Sequence, residues 1–302
     1  MQLVSFYLAY GLIWLFARIP MKVLYFFSDV VFVVIYYITP YRKKLATKNL
    51  RNSFPDWDEK KILHTAKRFY RFLIDFFMES TVLVFMPEKE VTKRQHYKNP
   101  ELLNDLFLQG KSVILIFGHY GNWEYLATLQ KYIQHKTIGV YKPLHNKYID
   151  NMFIRSRQRF GLEVIPIDKI ARTLTNYKKS NMLNISFFAA DQRPLMKNIK
   201  YWTTFLQQNT PVVIGPEKLA KRFDSAVVYL KVSILKRGYY ENEFILITKN
   251  PNETQENEIT DKFLNLLENQ IIEEPAYWLW THNRWKHSKD YFLNIYLKKE
   301  QK

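Results

Sequence analysis

From residue 111 onward the chain alternates short apolar runs with stretches of helical period, and that alternation restricts its fold more than any other feature. Strand-like runs fall at 112–117, 137–141, 163–167, 183–189, 226–234 and 243–248, and helical stretches near 122–133, 147–160, 168–180 and 214–223. Strand, helix, strand, helix predicts an α/β fold with a mostly parallel central sheet flanked by helices. The last two runs follow each other through "KRGYYEN" and are expected to pair antiparallel. The weakly patterned stretches 86–100, 193–210 and 250–258 read as loops within one domain, and no internal repeat or low-complexity segment interrupts the pattern.

Ahead of the alternation lie two apolar, aromatic segments. Residues 3–17, "LVSFYLAYGLIWLFA", hold no charge; Arg18 and Pro20 interrupt; residues 23–39, "VLYFFSDVVFVVIYYIT", resume with only Asp29 inside. Each falls short of the ~20 apolar residues of a clean spanning helix. The segment is expected to attach to a membrane, spanning it by tilting or lying on it. The competing reading is a buried helical hairpin of a soluble protein, in which Lys22 and Asp29 would need partners. After Pro40 come Arg42, Lys43, Lys44, Lys48 and Arg51, and this positive bias puts the bulk of the chain on the cytoplasmic side. The first residues lack a basic stretch and a small-residue cleavage site, which argues against a signal peptide. The expected division is an anchor over 1–40 and a catalytic-sized domain over 41–302. Residues 58–86 carry a basic amphipathic helical pattern with Asp58 as its cap, equally suited to a membrane surface and to a core.

Composition narrows the partners. A formal charge of +17 and a pI near 9.6 favour anions: phospholipid headgroups, nucleic acid or an acidic carrier protein. Nucleic acid is the weakest of these, because the basic residues are spread along the chain and no zinc-finger or RNA-binding aromatic signature occurs. The chain has no cysteine, so disulfides, thiolate zinc sites and cysteine nucleophiles are excluded. H-E-x-x-H is absent and the seven histidines form no spaced ligand pair, so no metal is expected.

The stretch "VILIFGHYGNWEYLATL", residues 113–129, carries the candidate chemistry. "SVILIF" reads as a buried strand, Gly118 and Gly121 as a turn, and Asn122 as the cap of a following helix. His119 would then stand at the carboxyl end of a strand, the edge where open α/β sheets bind ligands, with Glu124 in the first helical turn. A glutamate on one imidazole nitrogen would fix the tautomer and leave the other to take a proton from an acceptor hydroxyl. No G-x-S-x-G occurs, so the corresponding mechanism is direct attack of the activated acceptor on an acyl donor, with no covalent intermediate. A histidine and a glutamate five apart also arise by chance, and a structural loop histidine is the plainer alternative.

The full run of motifs resembles a known family. "GHYGNWE" (118–124) is similar to the H-x4-D/E signature of glycerolipid acyltransferases, and the chain looks most like their bacterial lipid A biosynthesis branch, the lauroyl and myristoyl transferases. "YRKKLATKNLRNSFPD" (41–56), "YKPLHNKYIDNMFIRSRQRFG" (141–161), "AADQRP" (189–194) and "PAYWLWTHNRWK" (275–286) resemble further blocks in that family's order. The resemblance implies a membrane-bound enzyme at the cytoplasmic face of the bacterial inner membrane. It would move a fatty acyl chain from acyl carrier protein to a hydroxyl of an anionic lipid A precursor, with no cofactor beyond the acyl thioester. It implies His119 as base and Glu124 as its orienting carboxylate. For the functional arginine it implies Arg159, with Arg157 as the competing choice; Asp191 and Gln192 would bind substrate, and Arg284 would be a weaker substrate contact. Trp278, Trp280 and Trp285 read as core or as acyl-chain lining. The chain departs from the family where "TTFLQQNTPVVIGPEKLA" (203–220) replaces a phenylalanine-glycine block, so an aminolipid or a lysophospholipid stays open as acceptor, as does a non-catalytic membrane-surface module.

Overall fold

The computed structural model describes residues 2–293. Helix α1 (Gln2–Phe16) stops before Pro20, which opens α2 (Met21–Val33); α2 continues into a π-helical turn over Val34–Ile38. After α3 (Lys43–Ser53), the long α4 (Glu59–Val82) starts where the Asp58 carboxylate accepts the Lys61 amide at 2.7 Å, satisfying one of the free amides of the first turn. Ile62, Ala66, Phe69, Tyr70, Leu73 and Phe76 bury one stripe of α4, which makes it a core-facing helix. Next come α5 (Glu88–Arg94), β1 (Gln95–Tyr97) and α6 (Glu101–Leu108).

The expected alternation then unfolds: β2 (Val113–Phe117), β3 (Lys136–Tyr141), α7 (Lys147–Gln158), β4 (Glu163–Pro166), α8 (Ile170–Lys179) and β5 (Asn184–Ala189). Beyond these lie β6 (Trp202–Phe205), β7 (Gln208–Pro211), α9 (Gly215–Phe223), β8 (Ala226–Lys236), β9 (Tyr239–Thr248), α10 (Glu258–Glu273) and the short α11 (Lys289–Tyr291). The main sheet has seven strands in the order β1-β9-β8-β2-β5-β3-β4. Every neighbouring pair is parallel except β8 and β9, which form the expected antiparallel hairpin. Strand β2 lies between β5 and β8 and is buried throughout, which is why it reads as an unbroken apolar run.

Three local readings are corrected. The stretch 193–210 contains most of a small antiparallel hairpin, β6–β7, turning through Leu206 and Gln207 with φ of 48° and 60°. The stretch 86–100 holds α5 and β1, the latter three residues of mixed polarity without an apolar run to mark it. Residues Trp123–Lys131 wind as a 3-10 helix rather than an α-helix.

Candidate active site

The register of β2 against β5 assembles the site. Phe117 pairs with Ala189, and the Ala190 amide extends the ladder to the Phe117 carbonyl at 3.0 Å. His119 and Asp191 each follow two residues later, so they leave the sheet side by side at the carboxyl ends of its central strands. His119 Nδ1 lies 2.6 Å from Asp191 Oδ1, and the His119 amide donates to Oδ2 at 2.9 Å. Trp278 Nε1 donates to the same Oδ2 at 2.7 Å. Asp191 is only 2% exposed. Burial pushes its carboxyl up, but the imidazole charge and the donors around it outweigh burial and hold it down at about 2. A carboxylate facing Nδ1 assigns the proton to that nitrogen and leaves the Nε2 lone pair for chemistry. Gln192 Nε2 approaches that lone pair at 3.3 Å.

The carboxylate on the imidazole is therefore Asp191, where Glu124 was expected. Asn122 Oδ1 accepts the Glu124 amide at 3.1 Å and starts the turn that carries Glu124 to α7. There Arg157 grips it with Nε on Oε2 at 2.9 Å and Nη2 on Oε1 at 2.8 Å, a two-pronged pair that occupies both carboxylate oxygens. Burial lowers the Arg157 pKa, but Glu124 more than compensates and the net shift is upward.

Of the two candidate arginines, Arg157 is thus the one that pairs with Glu124, and Arg159 lies elsewhere. Two residues along a helix turn through ~200°, so the two guanidinia leave on opposite sides. Arg159 instead donates to the carbonyls of Leu83 at 3.0 Å, Val84 at 2.9 Å and Met86 at 2.6 Å, closing the end of α4.

The aromatic carboxyl block forms the opposite wall. Leu279 N donates to the His119 carbonyl and Gly121 N to the Tyr277 carbonyl, both at 3.1 Å, and Tyr120 bridges Trp278 in antiparallel fashion. Gly121 adopts φ +63°, and a Cβ there would meet Val232 Cγ1 at 2.7 Å, so the loop needs glycine on both counts. Trp123 sets its ring edge-on to His119 at 4.9 Å. The sequence marks Trp278 as core or acyl-chain lining; its indole N–H on Asp191 has no local signature, since 87 residues separate the two.

Arg284 is buried, 1% exposed, with Nη1 on the Pro211 carbonyl at 2.7 Å. Burial pushes it down to about 10. His282, which sequence reasoning did not single out, accepts the Arg193 amide on Nε2 at 3.3 Å. Among the described residues no cluster of three or more His, Asp and Glu is arranged to hold a metal ion. A cavity of about 300 Å³ opens at the far rim of the sheet beside Ser112, Asn184 and Ser225, and none of the groups above lines it. The groups at the carboxyl rim can perform one operation without a cofactor: an imidazole oriented by a buried carboxylate can withdraw a proton.

Comparison with known proteins points the same way. The family model for "Bacterial lipid A biosynthesis acyltransferase" matches residues 1–287. The chain is similar to the lipid A biosynthesis palmitoleoyltransferase of Escherichia coli (strain K12), at 22% identity over 278 residues covering 91% of this chain and 89% of that protein. It is similar to the same extent, 22% over 278 residues with 91% and 89% coverage, to the lipid A biosynthesis acyltransferase of Shigella flexneri.

Proposed function

The chain belongs to the bacterial lipid A biosynthesis acyltransferase family, and from that premise we propose that it moves a fatty acyl chain from the thioester of acyl carrier protein to a hydroxyl of a lipid A precursor. The reaction takes place at the cytoplasmic face of the inner membrane. The acceptor O–H gives its proton to His119 Nε2 while its oxygen attacks the thioester carbonyl. Collapse of the tetrahedral intermediate releases the carrier thiolate, which takes the proton back from the imidazolium, leaving an ester and a thiol. No bond to the enzyme forms. Asp191 keeps Nδ1 protonated and balances the imidazolium. Gln192 occupies the position of the acceptor hydroxyl in the free site and yields to it. Glu124 acts through Arg157, holding the guanidinium beside the site for an anionic group of the substrate.

The observation that carries this reading is the 2.6 Å contact of His119 Nδ1 with a carboxylate that is almost fully buried. Membranes holding the wild type, His119→Ala or Asp191→Asn are to be incubated with acyl carrier protein thioesters and lipid A precursor, and the lipids weighed by mass spectrometry. The wild type gains one acyl ester. His119→Ala loses it, and Asp191→Asn slows it by about 10²–10⁴, the range of general-base contributions. Wild-type rates in His119→Ala would remove the base assignment, and acylation of an amine or a lysophospholipid alone would change the acceptor.

A further inference from the structure

Among the described residues, Met21–Ile38 form the one helix apolar and long enough to cross a membrane. At 1.5 Å per residue its 18 residues rise ~27 Å, close to a hydrocarbon core of ~30 Å. What packs along it is incompatible with crossing. Tyr25 donates to Glu79 at 2.7 Å and Ser28 to Asp75 at 2.5 Å. Arg71 lies over the Phe32 ring at 5.2 Å, and Tyr36 meets Tyr70 at 5.5 Å. These partners descend along α4 as the helix ascends, so the two run antiparallel over the whole apolar stretch.

Asp29 stands near the middle of that stretch. Arg237, from the turn joining β8 and β9, donates to Asp29 at 2.9 and 3.0 Å and to Asp75 at 2.7 and 2.8 Å. Were residues 21–38 to cross, this ion pair, Glu79 and a β-turn of the main sheet would sit within the hydrocarbon core of the bilayer. Charges there are costly, and irregular backbone cannot face lipid.

The opposite stripe carries a different surface. Phe26, Val30, Val33 and Tyr37, spaced at helical period, are 65%, 50%, 47% and 56% exposed, whereas Leu24, Ser28, Phe32 and Tyr36 are buried. Lys43 Nζ and Lys67 Nζ each stand 5.8 Å from the Tyr37 ring, which places cations at one end of the apolar stripe.

We infer that residues 21–38 lie in the plane of the membrane surface, dipping the Phe26–Val30–Tyr37 stripe into one leaflet of anionic phospholipid, and do not cross it. The inference rests on the membrane attachment proposed above and fixes its geometry. It also places the catalytic loop, because Glu79, which accepts from Tyr25, accepts from Asn122 at 2.8 Å as well. An in-plane helix thereby holds the His119 rim at headgroup depth, where a lipid hydroxyl can reach it.

The chain has no cysteine, so single-cysteine variants report topology without background. Arg18→Cys and Lys48→Cys flank the helix at exposed positions. With a membrane-impermeant maleimide on intact spheroplasts both are expected to stay unlabelled, and both to react once the membrane is opened. Labelling of Arg18→Cys alone from outside would overturn the inference. In flotation with phosphatidylglycerol–phosphatidylethanolamine vesicles, the purified full chain is expected to float. The doubly substituted Phe26→Lys, Val30→Lys protein, altered only at exposed positions, should bind at least tenfold more weakly. Unchanged binding would refute the role of this stripe while leaving attachment intact; a wild type that does not float would refute attachment itself.

Discussion

His282 shares the wall of the site with Asp191 and can accept the Arg193 amide only while its Nε2 carries a lone pair. Burial pushes its pKa down to about 4, with Arg193 and Arg284 adding to the effect and Asp191 opposing it. In the unfolded chain an imidazole titrates near pH 6.5, so below that pH the unfolded state takes up a proton that the folded state refuses. Stability is therefore unaffected by this residue above about pH 6.5 and is lost as the pH falls toward 4. Because the ring is partly exposed, the loss is about 1–2 kcal/mol. Thermal midpoints measured across that window should fall in the wild type and fall less in His282→Gln; parallel curves would show that His282 is not the group responsible. The same residue scale explains what sequence could and could not disclose. His119 and Asp191 both stand out as polar residues ending apolar strands. Which carboxylate meets the imidazole was hidden, because Glu124 is five residues away in sequence while Asp191, 72 residues away, is brought in by the β2–β5 register.

At the scale of elements, Glu79 joins α4 to three others: Tyr25 of α2, Asn122 of the loop that carries His119 and Tyr240 of β9, which donate to it at 2.7, 2.8 and 2.7 Å. Glu79 is fully buried, and burial raises its pKa against the pull of those three donors. Glu79→Leu would strand two buried donors, Asn122 and Tyr240, besides the half-buried Tyr25 hydroxyl, and each unsatisfied buried group costs about 1–3 kcal/mol. Denaturant midpoints should show Glu79→Leu less stable by roughly 2–6 kcal/mol, with Glu79→Gln much milder because its carbonyl still accepts. An effect no larger than that of the exposed Glu101→Leu would show the network to be energetically idle. Elements of this fold were legible in proportion to their length and apolarity. Strands β2, β5, β8 and β9 bury continuous or alternating apolar residues and announce themselves. Strand β1 and the β6–β7 hairpin are three or four residues of mixed polarity, held by neighbours distant in sequence. The 3-10 winding of Trp123–Lys131 likewise leaves no mark in the sequence, since an apolar period alone does not distinguish it from an α-helix.

For the whole molecule, a surplus of 45 Lys and Arg over 28 Asp and Glu makes a field that reaches beyond any single contact. Part of it stands beside Tyr37 at one end of the apolar stripe, where Lys43 and Lys67 would meet anionic headgroups. The remainder is free to attract the proposed acidic carrier, and steering of this kind raises association rates by about 10–10³. It is also screened: the Debye length falls from ~10 Å at 0.1 M salt to ~3 Å at 1 M. Under the proposed reaction, a carrier-borne acyl thioester and the same acyl group on uncharged pantetheine would undergo the same chemistry but differ in whether a charged protein must dock. With one micellar acceptor used throughout, any effect of salt on acceptor binding is common to both donors. Raising the salt from 0.05 to 0.5 M should then lower kcat/KM for the carrier-borne donor by about tenfold or more and leave kcat/KM for acyl-pantetheine within about twofold after normalisation to the acceptor effect. Equal sensitivity for both donors would mean that the positive field serves the lipid alone, and the carrier would have to be recognised by uncharged contacts.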